Sequence, residues 1–338
     1  MTAITTGDRS RSYQLNLANA QLKRGLDVLT REVATGIKSD IGAHLGGNLM
    51  QFGALENRLT TISAQQSSLA EGALIAQAMQ ASFTNMQDIT VRHAPGLIDV
   101  GNSSSPQSVQ MVTQAAAAEL DVVIGQLNVE VAGRHVFGGT RSDAPPIVGK
   151  TEFLSALRSV TSGLATVDDV VSAIDDWFDA PAGSSGFLDM AFRGDSSSYL
   201  SQQVSSTVTV AFPFTAASAN IKNLLKGLAV ASLISDGSLG LGHAAEAQLA
   251  AESGRMIMNA GTGIIEQQGK LGAIEEHIEK ASRRNEAEET SLKIARTTLI
   301  GTDPFETAQQ LTTVQTQLES VYAVTARLSR LSLANYLK

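Results

Sequence analysis

Proline placement constrains this chain more than any other feature of its 338 residues: the seven prolines stand at 95, 106, 145, 146, 181, 213 and 304. Residues 1–94 and 214–303 therefore contain none. A proline inside an α-helix costs about 3 kcal/mol, because it lacks an N–H and clashes with the preceding turn. Long helices are accordingly expected in two arms, around a middle that is built differently.

Hydrophobic spacing agrees. Leu15, Leu22, Leu26, Leu29 and Val33 follow the 3-and-4 spacing that puts apolar side chains on one helix stripe. The stripe stops at Thr35-Gly36, where glycine can take the left-handed conformation that ends a helix. Past Gly42, Gly46 and Gly47 it resumes through Leu55, Leu59, Ile62, Leu69, Ala73, Ala76, Met79, Phe83 and Met86. Ser105-Pro106 opens a further helix, Ser as cap and Pro in the first helical position.

In the second arm, positions 271, 274, 278, 281, 285, 288, 292, 295 and 299 step by 3 and 4 throughout, which is coiled-coil periodicity. Asn285 and Glu288 interrupt this apolar stripe and read as local solvation of the seam, with register setting as the alternative. Gly254, Gly261, Gly263, Gly269 and Gly272 weaken the upstream helix unless close backbone packing or a bend compensates. At Asp303-Pro304-Phe305-Glu306 an Asp cap, a first-turn Pro and a Glu three residues after the cap coincide. A final helix begins there with Leu311, Val314, Leu318, Val321, Leu328 and Leu331 on one face; roughly 30 residues at about 1.5 Å each extend about 45 Å.

Between Pro145 and Leu225 the texture changes. Thr166-Val167-Asp168-Asp169 caps a short helix ending near Phe178, and Val204 to Phe214 reads as strand. Gly183 to Gly186 supplies a turn, after which Phe187 to Phe192 is expected to pair with that strand. The expected fold is mainly α, a long antiparallel helical coiled-coil or bundle rod built from both chain ends, with a small inserted α/β domain. Its expected divisions are terminal axial helices at 1–40 and 303–338, a helical rod domain at 41–145 and 226–302, and the insert at 146–225.

Several chemistries drop out. The absence of Cys removes disulfides, thiolate metal sites and a thiol nucleophile. Lys and Arg number 25 against 33 Asp and Glu, a net charge of -8, which is not the footprint of a nucleic-acid binder. Arg9 and Arg11 are followed by no apolar run, so no cleaved signal peptide is expected. Ser196 to Ile221 is poor in charge but holds Pro213 and many Ser and Thr, unlike a membrane span.

His44, His93, His135, His243 and His277 lack zinc-ligand spacing. Gly240-Leu241-Gly242 and Gly261-Thr262-Gly263 lack the strand and Lys of a phosphate loop. Arg193-Gly194-Asp195 reads as a chance tripeptide rather than an adhesion motif. The pair Glu276 and Lys280 is a solvated helix face worth about 0.2–0.5 kcal/mol. No enzyme, cofactor or metal site is expected.

An apolar helix stripe is ordinarily intramolecular core, and the middle seams read that way. The terminal helices differ, because two helices joined only to each other have little core and gain stability by packing on neighbouring subunits. Leu15, Leu22, Leu26, Leu29, Val33, Leu311, Val314, Leu318, Val321, Leu328 and Leu331 are therefore the expected assembly interface. Charged residues make up only 17% of the chain, so much of its surface is neutral and suited to helix-on-helix contact.

The two arms resemble the flagellin superfamily, and more closely its hook-filament junction branch of hook-associated proteins. The likeness is carried by Leu22 to Thr35-Gly36, by Leu69-Ala70-Glu71-Gly72-Ala73-Leu74, by Gly133-Arg134-His135-Val136-Phe137-Gly138-Gly139-Thr140 and by the ending Leu331-Ser332-Leu333-Ala334-Asn335-Tyr336-Leu337. The chain departs from the family at Ser39-Asp40-Ile41-Gly42, where an Asp-Asp-Pro-like segment is common. In the middle segment only Phe192-Arg193-Gly194-Asp195 resembles the family.

The resemblance implies a non-enzymatic protein exported through the flagellar type III apparatus without a cleaved signal peptide. It would assemble outside the cell as a ring of protomers between hook and filament, with its terminal helices as the axial layer. Implied partners are further copies of itself, the adjacent hook-side junction protein, flagellin and an export chaperone. Flagellin itself, a filament subunit on the same plan, is the alternative, and a signalling helical hairpin is a more distant one.

Overall fold

A computed structural model describes the backbone of residues 6–102, 105–203 and 208–336, with the side chains of all of these but 6–9, 12 and 329–336. The chain divides into two compact units, residues 1–62 with 286–338 and residues 63–285. Helix dominates both, as the proline-free arms allow. The elements are α1 (Thr6–Thr35), α2 (Ile41–His44), α3 (Met50–Asp99), α4 (Pro106–Leu127), β1 (Glu130–Val131), β2 (Arg134–His135), α5 (Lys150–Thr161), α6 (Val167–Asp179), α7 (Phe187–Met190), β3 (Leu200–Gln203), β4 (Thr209–Phe212), α8 (Ala219–Ser235), α9 (His243–Ile300) and α10 (Pro304–Tyr336).

The unit of residues 63–285 owns the core. Every member of its main buried apolar cluster falls between Leu69 and Ile278. α3 and α9 run antiparallel within it, as Gln66 Nε2 donating to Ser282 Oγ at 2.6 Å and Gln268 Nε2 to Thr84 Oγ1 at 3.2 Å show. α4 returns antiparallel to α3, with the Glu119 carboxylate taking Arg92 at 3.0 Å and meeting His93 Nε2 at 3.1 Å. α4 also packs on α8.

Pro95 falls inside α3, where a helix end was expected. It lies with Val91 on the exposed face of the helix, between the buried Ala94 and Leu97, and leaves only the Val91 carbonyl without a helical donor. α9 is likewise unbroken across its glycines. The reason at three of them is contact: a Cβ on Gly254 would lie 2.8 Å from Ile98 Cγ1 and one on Gly261 2.9 Å from Thr90 Oγ1, while one on Gly263 would run into the Asn220 side chain. Gly269 and Gly272 meet nothing.

The segment between α4 and α8 folds onto the same core. β1 and β2 form one antiparallel pair, and β3 and β4 form a second, with Leu200 opposite Phe212. Val204 to Thr207, the start of the expected strand, lie outside the described residues. The expectation that Phe187 to Phe192 pairs with that strand is corrected: the partner of β4 is β3, and Phe187–Met190 is a helical turn.

The cause is local. Both Asp189 carboxylate oxygens accept from Gly183 N–H at 2.9 Å and one also from Ser185 N–H at 2.8 Å, which curls the loop and holds the Asp189 carboxyl below the ordinary carboxylate range. Phe187 then stacks on Phe178 at 5.1 Å and on Phe192 at 6.1 Å. Phe153 and Trp177 meet this group edge-on. Lys226 on α8 is buried beside it, donating to Asp175 at 2.8 Å and Asp179 at 3.1 Å, its ammonium 5.5 Å from the Phe178 ring. Removing either carboxylate would weaken compensation for a buried charge.

Candidate assembly surface

The second unit is built otherwise. α1 and α10 pack on each other, yet among their described side chains only Glu32, 6% exposed, and Thr307, 2% exposed, are fully buried, and both are polar. Leu15, Leu22, Leu26 and Leu29 on α1 are half-buried, as are Leu311, Val314, Leu318, Val321 and Leu328 on α10. Val33 is more open, at 43% exposed. The side chain of Leu331 lies outside the described residues.

A groove of about 910 Å³ lies between the two helices, where Leu22 of α1 meets Thr312, Thr316 and Val321 of α10. Phe305, 81% exposed, stands at one end of it. Near the other end Lys23 Nζ sits 5.8 Å over the ring of the half-exposed Tyr322. Tyr13, Leu17, Val28 and Val324 are also exposed on these two helices.

The seam periodicity did not disclose what the hydroxyl residues of α10 do. Thr307, Thr312, Thr313, Thr316, Ser320 and Thr325 each donate back to the carbonyl four residues earlier, at 2.7–3.0 Å. Their polarity is spent inside the helix. The threonines therefore present methyl groups, and with only Glu306, Glu319 and Arg327 ionised between residues 304 and 328 the helix offers an almost uncharged flank. Such a flank can approach another helix without burying a charge, its remaining polar groups in the groove being the amides of Gln309 and Gln317. The signal was present as the density of Thr and Ser between residues 307 and 325.

Other segments with a distinctive sequence meet in the larger unit. Arg134 reaches Glu71 at 3.7 Å and donates to Gln202 Oε1 at 3.3 Å, joining the hairpin of β1 and β2 to α3 and β3. Gly139, at φ 65°, leaves no room for a Cβ against the carbonyls of Asp195 and Ser198. Asp195 N–H donates to Gly138 O at 2.9 Å, and its carboxylate accepts from Ser197 N–H at 2.8 Å and from Thr140 Oγ1 at 2.5 Å. The Ser197 hydroxyl also donates to it at 2.6 Å, and these donors, that hydroxyl foremost, hold the Asp195 carboxyl far below the ordinary range. Arg193 pairs with Glu152 at 3.3 Å. The tripeptide 193–195 is thus an internal fastening.

Among the described residues no group of three or more His, Asp or Glu could hold a metal ion, and no helix is long and apolar enough to cross a membrane. In comparison with known proteins, residues 255–337 match the family model of the bacterial flagellin C-terminal helical region. One solved structure with similarity to the chain is described as a putative flagellar hook-associated protein from Vibrio parahaemolyticus; identity is 12%, the TM-score is 0.37, and 83% of this chain and 95% of that one are covered. No curated protein matches the chain. From within α9 through α10, the chain is similar to the flagellin C-terminal helical region, and its likeness to flagellins rests on that segment.

Proposed function

We propose that this chain is a structural subunit of the bacterial flagellum that assembles with copies of itself into a ring at the hook-filament junction and adapts the one structure to the other. The observation that carries the reading is the pair α1 and α10, with no fully buried apolar side chain among its described residues, in a segment that matches the flagellin C-terminal helical region. Leu15, Leu22, Leu26, Leu29, Val33, Leu311, Val314, Leu318, Val321, Leu328 and Leu331 are the proposed contact residues. Half-buried apolar side chains gain most when a neighbouring copy covers the remainder.

In this reading residues 1–40 and 303–338 form the axial layer, 41–145 and 226–302 the helical rod, and 146–225 an inserted domain. Its partners are further copies, the hook-side junction protein, flagellin and an export chaperone. The flagellar type III apparatus delivers it outside the cell without signal cleavage. The likeness of residues 133–140 and 331–337 to the junction branch favours the junction over the filament. A filament subunit is the second reading, favoured by the flagellin match at residues 255–337.

Electron microscopy of cells lacking the protein separates the two. Filaments shed from otherwise complete hooks support the junction role; loss of the filament's own subunit mass supports the filament role. Removal of residues 304–338 is expected to leave a folded chain that no longer enters flagella, and normal motility with only that truncated chain would reject the proposal.

A further inference from the structure

Glu32 has no place in an apolar seam, yet it is the one fully buried side chain described on α1. Its carboxylate turns back along its own chain: Oε1 accepts from Ser39 N–H at 2.8 Å and Oε2 from Lys38 Nζ at 3.4 Å. Gly36, at φ 69°, makes the reversal that brings residues 38 and 39 within reach. The same short stretch meets the junction of α9 and α10. Lys38 N–H donates to Ile300 O at 2.9 Å, Thr302 N–H donates to Gly36 O at 2.9 Å, and Ile37 bridges Gly301 in antiparallel fashion.

Directly beyond, the Asp303 side chain accepts from Phe305 N–H at 2.8 Å and Glu306 N–H at 3.1 Å, which fixes the start of α10. Thr307 Oγ1 donates to Asp303 O at 2.7 Å. Hydrogen bonds, linked by one or two residues of backbone, therefore run from a side chain in α1 to the first turn of α10.

We infer that Glu32 is the positioning residue of a clasp that fastens the exit of α1 to the start of α10 within a single chain. The half-buried seam offers little to hold the two helices together, so their pairing before any neighbour arrives depends on this closed end. The sequence separates the two halves of the clasp almost completely; only the fold joins them. The inference concerns the isolated chain and stands whether the chain serves junction or filament.

The test is hydrogen exchange on the full-length chain, resolved at the Lys38, Ser39 and Thr302 amides, for the native protein, Glu32→Ala and Glu32→Gln. Hydrogen bonds to a charged group give about ten- to hundredfold in such an equilibrium. Glu32→Ala is expected to speed exchange by that factor at all three amides, Thr302 included, while amides of α8 keep their native rates. Glu32→Gln retains an acceptor for Ser39 N–H and is expected to restore most of the protection. A Thr302 amide indifferent to Glu32→Ala would overturn the inference, because a side chain that merely stabilised its own helix would loosen only the end of α1. Equal loss in the Gln and Ala variants would overturn it too.

Discussion

Leu318→Asp tests whether the apolar stripe of α10 serves the single chain or its neighbours. Leu318 is half-buried in the isolated chain. Full burial of a leucine is worth about 1.5–3 kcal/mol, so within one chain the substitution forgoes about 1 kcal/mol of apolar burial. In the proposed assembly a neighbouring copy would bury the uncovered half as well. The variant then forfeits about 1 kcal/mol more and forces a carboxylate out of water, which costs at least about 2 kcal/mol without a partner.

A difference of about 3 kcal/mol at each interface weakens association more than a hundredfold, and it recurs at every copy. None of it reaches the main core, which lies wholly between Leu69 and Ile278. Calorimetry of the free chain should show the main transition unmoved, while sedimentation under assembling conditions should show little large material. A melting point lowered by many degrees together with intact assembly would refute the reasoning.

Three further outcomes follow from the geometry. Gly263→Ala should destabilise the larger unit by about 1–3 kcal/mol because its Cβ meets Asn220, whereas Gly269→Ala, with open space around it, should stabilise by about 0.5–1 kcal/mol; urea melts of the two variants would reverse in order if the glycines served only flexibility. Phe153→Ala, which opens a hole among Trp177, Phe178 and Phe187, should cost about 3–5 kcal/mol, read by the same melts. Burial raises the Asp179 pKa, but the hydrogen bonds from Lys222 and Lys226 outweigh it and set the carboxyl below its ordinary value. The stability it contributes is therefore present above the unfolded-state pKa of about 3.9 and lost as pH falls through the lower folded value; Asp179→Asn should flatten that acid limb in melts between about pH 5 and 2, and an unchanged limb would exclude the pair as its source.

Much of this molecule is legible in its sequence because local and global preferences agree. Ser105 caps α4, Thr166 caps α6 and Asp303 caps α10, where a short polar side chain precedes an apolar period. The seam from Leu271 to Leu299 is buried or half-buried at every expected position but Ala295. Glu288 takes Arg58 at 2.6 Å, which accounts for one of its two polar interruptions.

What escaped reading depends on neighbours distant in sequence. Pro95 stands on the exposed face of α3, and Gly254 and Gly263 are required by Ile98 and Asn220. Phe187 turned helical because Asp189 captured the loop before it. On α1 and α10, apolar spacing picked out the half-buried leucines, but the hydroxyl groups folded back along α10 and the buried Glu32 carry no apolar signal at all.

The central claim is that α1 and α10 find their covering partners in other copies. The chain has no Cys, so a single cysteine in place of Leu318 is the only thiol a maleimide reagent can meet. Its labelling rate, compared between the free chain and the assembled flagellar fraction, measures that covering directly. The account predicts ready labelling in the free chain and at least tenfold slower labelling once assembled, about the effect of 1.4 kcal/mol of added burial. Equal rates in the two states would contradict it.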